Sequence, residues 1–162
     1  HEYILDVNII KNAIEKYHGV GRRFEYLGKY NGAYIYDDYA HHPSEIKTTL
    51  ESVKSVKHKS SWAVFQSHTY SRTKEHLDAF ADVLANFDHV IIAKIYPARE
   101  INTFNISEEM LVDKIKDKNP NVIYIDDFDK IVEFLKENVK EEDLVITIGA
   151  GPINYVSKKL VD

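Results

Sequence analysis

Four short apolar runs recur along the chain: Trp62–Phe65, Val90–Ala93, Val122–Ile125 and Leu144–Ile148. Each is too short for a helix and is rich in β-branched or aromatic residues, the pattern of strands buried on both faces in a parallel sheet. Amphipathic stretches separate them. Ile46, Leu50 and Val53 share one helical face; so do Leu77, Phe80, Ala81 and Leu84, and again Phe128, Ile131, Val132, Leu135 and Val139. Ser107 is placed as an N-cap, with Ile106 and Leu111 spaced for a hydrophobic staple. Strands alternating with helices of this length specify βαβ units.

The start of the chain departs from that rhythm. Phe24–Tyr30 and Ala33–Tyr36 flank Asn31-Gly32, a dipeptide suited to a type I′ hairpin turn. The expected fold class is therefore α/β: a mostly parallel sheet of about six strands, one of them antiparallel and supplied by the hairpin, flanked by helices. Before the hairpin, Val7, Ile10, Ile14 and Tyr17 form a helical stripe, and Gly19-Val20-Gly21 reads as a hinge. Residues 1–20 are expected to close a preceding domain, and residues 21–162 to form one domain of their own. Opening at His1 and not at Met, the chain reads either as a fragment or as carrying a residue left by its expression.

Composition narrows the classes. The 162 residues are 44% hydrophobic and 29% charged, ordinary for a globular chain. The absence of Cys excludes disulfide scaffolds, Cys-ligated zinc and thiol catalysis. A formal net charge of -5 gives no electrostatic reason for a nucleic-acid partner. No run approaches the ~18 apolar residues of a membrane span and no signal peptide is visible, so no membrane partner and a cytoplasmic location are expected.

In open α/β sheets, ligands bind beyond the carboxyl ends of the strands. The chemically unusual residues fall there: Asp37-Asp38, Gln66-Ser67-His68, Tyr96-Pro97-Ala98-Arg99, Asp126-Asp127 and Gly149-Ala150-Gly151. In Asp37-Asp38-Tyr39-Ala40-His41-His42-Pro43-Ser44, Pro43 suits the first turn of a helix, which puts the His pair at its N-terminus. Neutral imidazoles there can hydrogen-bond a phosphate or ribose, and Asp38 can accept from ribose hydroxyls; equally, these side chains can cap backbone groups. A metal site is disfavoured because adjacent His residues seldom aim at one ion.

Arg72 lies where a helix first turn would ordinarily carry an acid. Its planar guanidinium suits a carboxylate or phosphate, the alternative being an internal pair with Glu75 or Asp78. Arg22-Arg23 offers one side chain to a ligand or two to the surface. Arg99-Glu100 reads as a surface ion pair. Gly149-Ala150-Gly151-Pro152 forms either an anion nest or a plain tight turn, and it is not a dinucleotide fingerprint. Neither a G-x-x-x-x-G-K-[ST] phosphate loop nor a G-x-S-x-G elbow occurs, so ATP chemistry needs another domain.

Gly19–Phe24, Asp37–Pro43, Phe65–Thr73, Ile95–Glu100 and Gly149–Gly151 together resemble, in order, the motifs of the C-terminal domain of the Mur ligase family. The resemblance runs from about Val7 to the end of the chain. It implies a Rossmann-like lid that closes over ATP bound, with Mg²⁺, mainly by a central domain absent here. An N-terminal domain, also absent, would hold the UDP sugar. The stretch from His68 to Arg72 resembles the branch that adds L-alanine to UDP-N-acetylmuramate through an acyl phosphate. The His41-His42-Pro43 loop is also similar to the branch that reattaches recycled murein tripeptide. On this resemblance, Arg22 or Arg23, Asp38 and His41 contact the nucleotide, His68 and Arg72 face alanine, and Tyr39, His42, Arg99 and Gly149 are further candidates. No catalytic residue is expected within this domain alone, and the isolated domain should be inactive. Ser67 stands where the family pattern has Pro, which is expected to loosen the turn aiming His68; Pro152 is a second departure. A non-catalytic nucleotide-binding module on the same fold is the competing reading. A receiver-like domain, suggested by Asp37-Asp38 and Lys94, is disfavoured because the last strand runs into Gly149 where a Lys is needed.

Overall fold

The computed structural model describes Lys11 and residues 21–162. The stripe residues Val7, Ile10, Ile14 and Tyr17 and the hinge residues Gly19 and Val20 lie outside the described residues.

The hairpin forms as its dipeptide dictates. Strands β1 (Glu25–Tyr30) and β2 (Ala33–Asp38) pair antiparallel, joined by Asn31 at φ 48° and Gly32 at φ 82°. Both central residues of a type I′ turn need positive φ, which Asn and Gly supply at least cost. Four further strands follow: β3 (Ser61–Phe65), β4 (His89–Ala93), β5 (Val122–Ile125) and β6 (Leu144–Ile148). They complete one six-stranded sheet of order β1-β2-β6-β3-β4-β5, with every pairing after the hairpin parallel.

Among the described residues of 21–162, six helices cover it: α1 (Pro43–Ser55), α2 (Tyr70–Glu75), α3 (Leu77–Leu84), α4 (Glu108–Lys116), α5 (Phe128–Asn138) and α6 (Asn154–Val161). The period of two along each strand sends side chains to two cores. Ala63, Phe65, Val90, Ile92, Ile146 and Ile148 meet Ile46, Phe80, Leu84, Leu111 and Ile115 from α1, α3 and α4. Val64, Ile91, Ala93 and Val145 meet Ile131, Leu135, Val156 and Leu160 from α5 and α6 on the other side. Burial on both faces is why these strands read as continuous apolar runs.

Two local details differ from expectation. Ser107 is the N-cap residue of α4, but its side chain accepts no capping hydrogen bond. The flanking staple pair Ile106 and Leu111 is buried in the first core. The stretch after β3 is also broken at His76 (φ -111°, ψ 19°) into α2 and α3.

This topology places the site. Helices following β2 and β3 pack on one face, while α6 following β6 packs on the other. Because β6 lies between β2 and β3, the chain leaves neighbouring carboxyl ends in opposite directions, opening a crevice at a topological switch point.

Candidate functional site: the carboxyl edge of β2, β6 and β3

All four arginines of the chain, Arg22, Arg23, Arg72 and Arg99, lie in segments at this edge. Their fates differ. The Arg22 Nε donates to Asp37 Oδ2 at 2.8 Å, and its Nη2 donates to the carbonyls of Gly149 (2.6 Å) and Gly151 (3.2 Å). Asp37 is buried, and its other oxygen accepts from Thr147 Oγ1 at 2.6 Å. Arg22 thus ties the hairpin to the turn after β6, its fork filled by internal acceptors. Arg23 is exposed and forms no ion pair among the described residues; its Cζ lies 5.6 Å from the centre of the Tyr39 ring, which Arg22 also approaches at 4.9 Å.

Asp38 ends β2 and is buried. Its Oδ1 accepts from Ala40 N, and its Oδ2 from Thr49 Oγ1 and Phe24 N. Burial pushes its pKa up, opposed by these bonds and by Arg23. The carboxylate is turned inward and organises the loop. A hollow of about 310 Å³ opens beside it, between Arg23, Phe24, Glu45 and Thr48.

The next loop runs into α1 as Pro43 suggests. His42 is the N-cap, accepting from Ser44 N, and Glu45 accepts from the backbone N–H groups of both His41 and His42. These N–H bonds carry the Glu45 pKa below its usual value although burial alone would raise it. The His41 ring faces the site: its centre lies 5.5 Å from that of Tyr39 and 6.2 Å from that of His68.

His68 leaves β3 and continues the sheet by an isolated parallel bridge to Tyr96. Thr69, at φ 71°, then caps α2 through a bond from Arg72 N. The cap turns Arg72 back so that its Nη1 lies 3.3 Å from His68 Nδ1. Arginine only donates, so His68 Nδ1 is the acceptor and the ring proton sits on Nε2. Burial holds the His68 pKa below 6.5, and the charges of Arg72 and His41 push the same way. Among the described residues Arg72 pairs with no carboxylate; Asp78 is taken by Lys114.

Tyr39, His41, His68 and Arg72 therefore form one row across the edge, with Arg23 at one end and Tyr96 alongside, its ring centre 5.4 Å from that of His68. Such a row offers two guanidiniums without carboxylate partners and two imidazoles to an anionic ligand. Gly149 borders it at φ 152°, where a Cβ would stand 2.7 Å from the Gln66 carbonyl, so the turn after β6 needs glycine there. A second hollow, of about 570 Å³, lies beyond Tyr96 and is lined by Gln66, Lys94, Asp127, Phe128 and Tyr155.

Two sequence expectations need correction. Arg99 and Glu100 do not pair: Glu100 accepts from Ser71 N at 2.9 Å and from Ser71 Oγ, satisfying the start of α2. Nor does Ser67 leave its turn loose. It is buried, with its Oγ 2.6 Å from Thr73 Oγ1, and Thr73 in turn donates to the Thr69 carbonyl. Glu100 was missed as part of the site because its partner lies 29 residues away, and no local signal marks it.

Among the described residues no group of three or more His, Asp or Glu side chains is placed to hold a metal ion. No helix among them is long and apolar enough to cross a membrane.

Known proteins resemble this chain in sequence and fold. The family model for the Mur ligase, glutamate ligase domain matches residues 22–151. A UDP-N-acetylmuramate–L-alanine ligase from Caldanaerobacter subterraneus subsp. tengcongensis is 49% identical over 158 residues, covering 98% of this chain and 34% of that protein. The crystal structure of a UDP-N-acetylmuramate-alanine ligase from Thermotoga maritima matches with a TM-score of 0.74 at 26% identity, over 97% of this chain and 33% of the other. A murein peptide ligase from Psychrobacter arcticus shares the fold, with a TM-score of 0.68 at 23% identity over 92% of this chain and 31% of that one. The chain thus spans about a third of the length of the curated relatives it matches. With its hairpin, its switch-point crevice and its ordered edge motifs all inside the matched segment, the chain belongs to the Mur ligase family, as its C-terminal domain.

Proposed function

We propose that the chain is the lid domain of an ATP-dependent ligase that joins L-alanine to UDP-N-acetylmuramate. In that reaction the carboxylate of the sugar nucleotide takes the γ-phosphoryl group of ATP, the alanine amine attacks the acyl phosphate, and phosphate leaves. The reading rests on the relatives named above and on one observation of this chain: the row Tyr39–His41–His68–Arg72 at the switch point. Negative charge concentrates in such a reaction, and cations preorganised in a closing, water-excluding cleft stabilise it.

The roles divide along the row. Arg23, exposed beside Tyr39, is the nucleotide-facing cation, and His41 lies between nucleotide and acceptor. Arg72 clamps the alanine carboxylate, and neutral His68 orients it. Arg22 and Asp38 act from beneath, their polar atoms turned to internal partners. Mg²⁺ neutralises phosphate charge and would be held by the remainder of the enzyme. His42, Tyr39, Arg99 and Gly149 shape the edge.

The test is a phosphate-release assay with ATP, Mg²⁺, UDP-N-acetylmuramate and L-alanine. The full-length protein should release phosphate only when all are present, and the 162-residue chain alone should release none. Turnover by the chain alone, or full-length activity indifferent to L-alanine, would overturn the reading.

A further inference from the structure

Helix α2 carries Arg72, yet its own first turn, Tyr70-Ser71-Arg72, contains no acid. A helix start leaves backbone N–H groups unsatisfied and carries partial positive charge. Adding a guanidinium there makes the six-residue element poor in isolation. The chain supplies the missing acid from elsewhere. After β4, a turn closed by Glu100 N donating to the Pro97 carbonyl at 2.9 Å presents Glu100 to α2. One carboxylate oxygen accepts from Ser71 N at 2.9 Å, and the other accepts from Ser71 Oγ. Both bonds favour the ionised form and hold the Glu100 pKa below its ordinary value.

The same segment grips α2 at its entrance. Thr69 N donates to the Tyr96 carbonyl at 2.8 Å, and Tyr96 N to the Ser67 carbonyl at 2.9 Å. Thr69 is held at φ 71°, a conformation uncommon for a β-branched residue and sustained only where the surroundings fix it. Four residues further along the loop from Tyr96, Glu100 fixes the adjoining turn. Arg72, the residue directly after Ser71, then reaches back to His68.

We infer that Glu100 is a positioning residue of the ligase site, a first-turn acid supplied from the β4–α4 loop that fixes α2 and thereby aims the Arg72 guanidinium. This rests on the ligase reading above and adds to it a residue whose carboxylate touches no substrate. Its loss loosens Arg72 while leaving Arg23 and the Tyr39 side of the row in place, because those stand on the hairpin and on the loop before α1.

The consequence is a selective kinetic defect, measured in the full-length protein. Glu100→Ala should raise the KM for L-alanine by about tenfold or more, with the KM for ATP within about twofold of wild type. Glu100→Gln, which keeps one acceptor oxygen for Ser71, should fall between the two. Lys74→Ala is the structural control: Lys74 Nζ donates to the Phe104 carbonyl and so also joins α2 to this loop, but without serving its first turn. That variant should leave the alanine KM near wild type. An unchanged alanine KM in Glu100→Ala, or ATP and alanine KM values rising together with a loss of thermal stability, would overturn the role of Glu100 while leaving the ligase reading intact. A wild-type protein with no alanine-dependent phosphate release would overturn both.

Discussion

Arg72 Nη1 stands 3.3 Å from His68 Nδ1, so an obligate donor has an imidazole lone pair as its partner. The contact exists only while His68 is neutral. A proton on Nδ1 would replace it with two cations facing each other.

The sign of the pH dependence follows. Burial first, then Arg72 and His41, place the His68 pKa below its unperturbed 6.5. The folded state therefore binds fewer protons than the unfolded state as pH falls below 6.5, and stability declines until the folded pKa is passed. Above 6.5 this contribution is constant. An NMR titration of the His68 ring should give a midpoint below 6.5, and Arg72→Ala should move it upward. A midpoint indifferent to Arg72 would show that the two groups do not sense each other.

Arg22 bears on stability in a different way. Removing its side chain strips the buried Asp37 of an ion-pair partner and frees the Gly149 and Gly151 carbonyls. Breaking a largely buried pair from one side costs several kcal/mol, less where one partner is part-exposed, so Arg22→Ala should destabilise by roughly 3 kcal/mol. Urea unfolding measures this. A loss under about 1 kcal/mol would mean that the hairpin is held to the β6 turn by packing alone.

Ser67 allows a sharper comparison. Thr73 Oγ1 donates to the Thr69 carbonyl, so Ser67 is the donor in the 2.6 Å hydroxyl pair. Ser67→Ala should cost about 1 kcal/mol, the usual net worth of one such bond. The Ser67 N–H donates to no described residue, so Ser67→Pro should cost no more than Ser67→Ala. A proline variant far less stable than the alanine variant would show that the backbone here cannot accept the ring.

Legibility in the sequence followed the range of the interactions. Asn31-Gly32, the two-sided strand runs, the Pro43 helix start and the Ile106–Leu111 staple are set by neighbours within a few positions, and each is in place. The gathering of Tyr39, His41, His68 and Arg72 at one edge was readable too, since a parallel sheet sends every post-strand loop to the same side. What was hidden depends on contacts between distant segments. Nothing local distinguishes Arg22, whose Nη2 reaches a carbonyl 127 residues away, from the outward-facing Arg23. Glu100 looked like a partner for its neighbour Arg99 and instead serves Ser71. The break at His76 was also unreadable, because the apolar stripe resumes at Leu77 in phase with the core.

Arg72→Ala in the full-length protein tests the functional row most directly, with initial rates measured against L-alanine at saturating ATP and UDP-N-acetylmuramate. A guanidinium that clamps the alanine carboxylate requires the KM for alanine to rise, or kcat to fall, by at least ~10-fold. Rates indistinguishable from wild type across the alanine titration would remove Arg72 from the site and contradict the assignment of this edge to the amino-acid substrate.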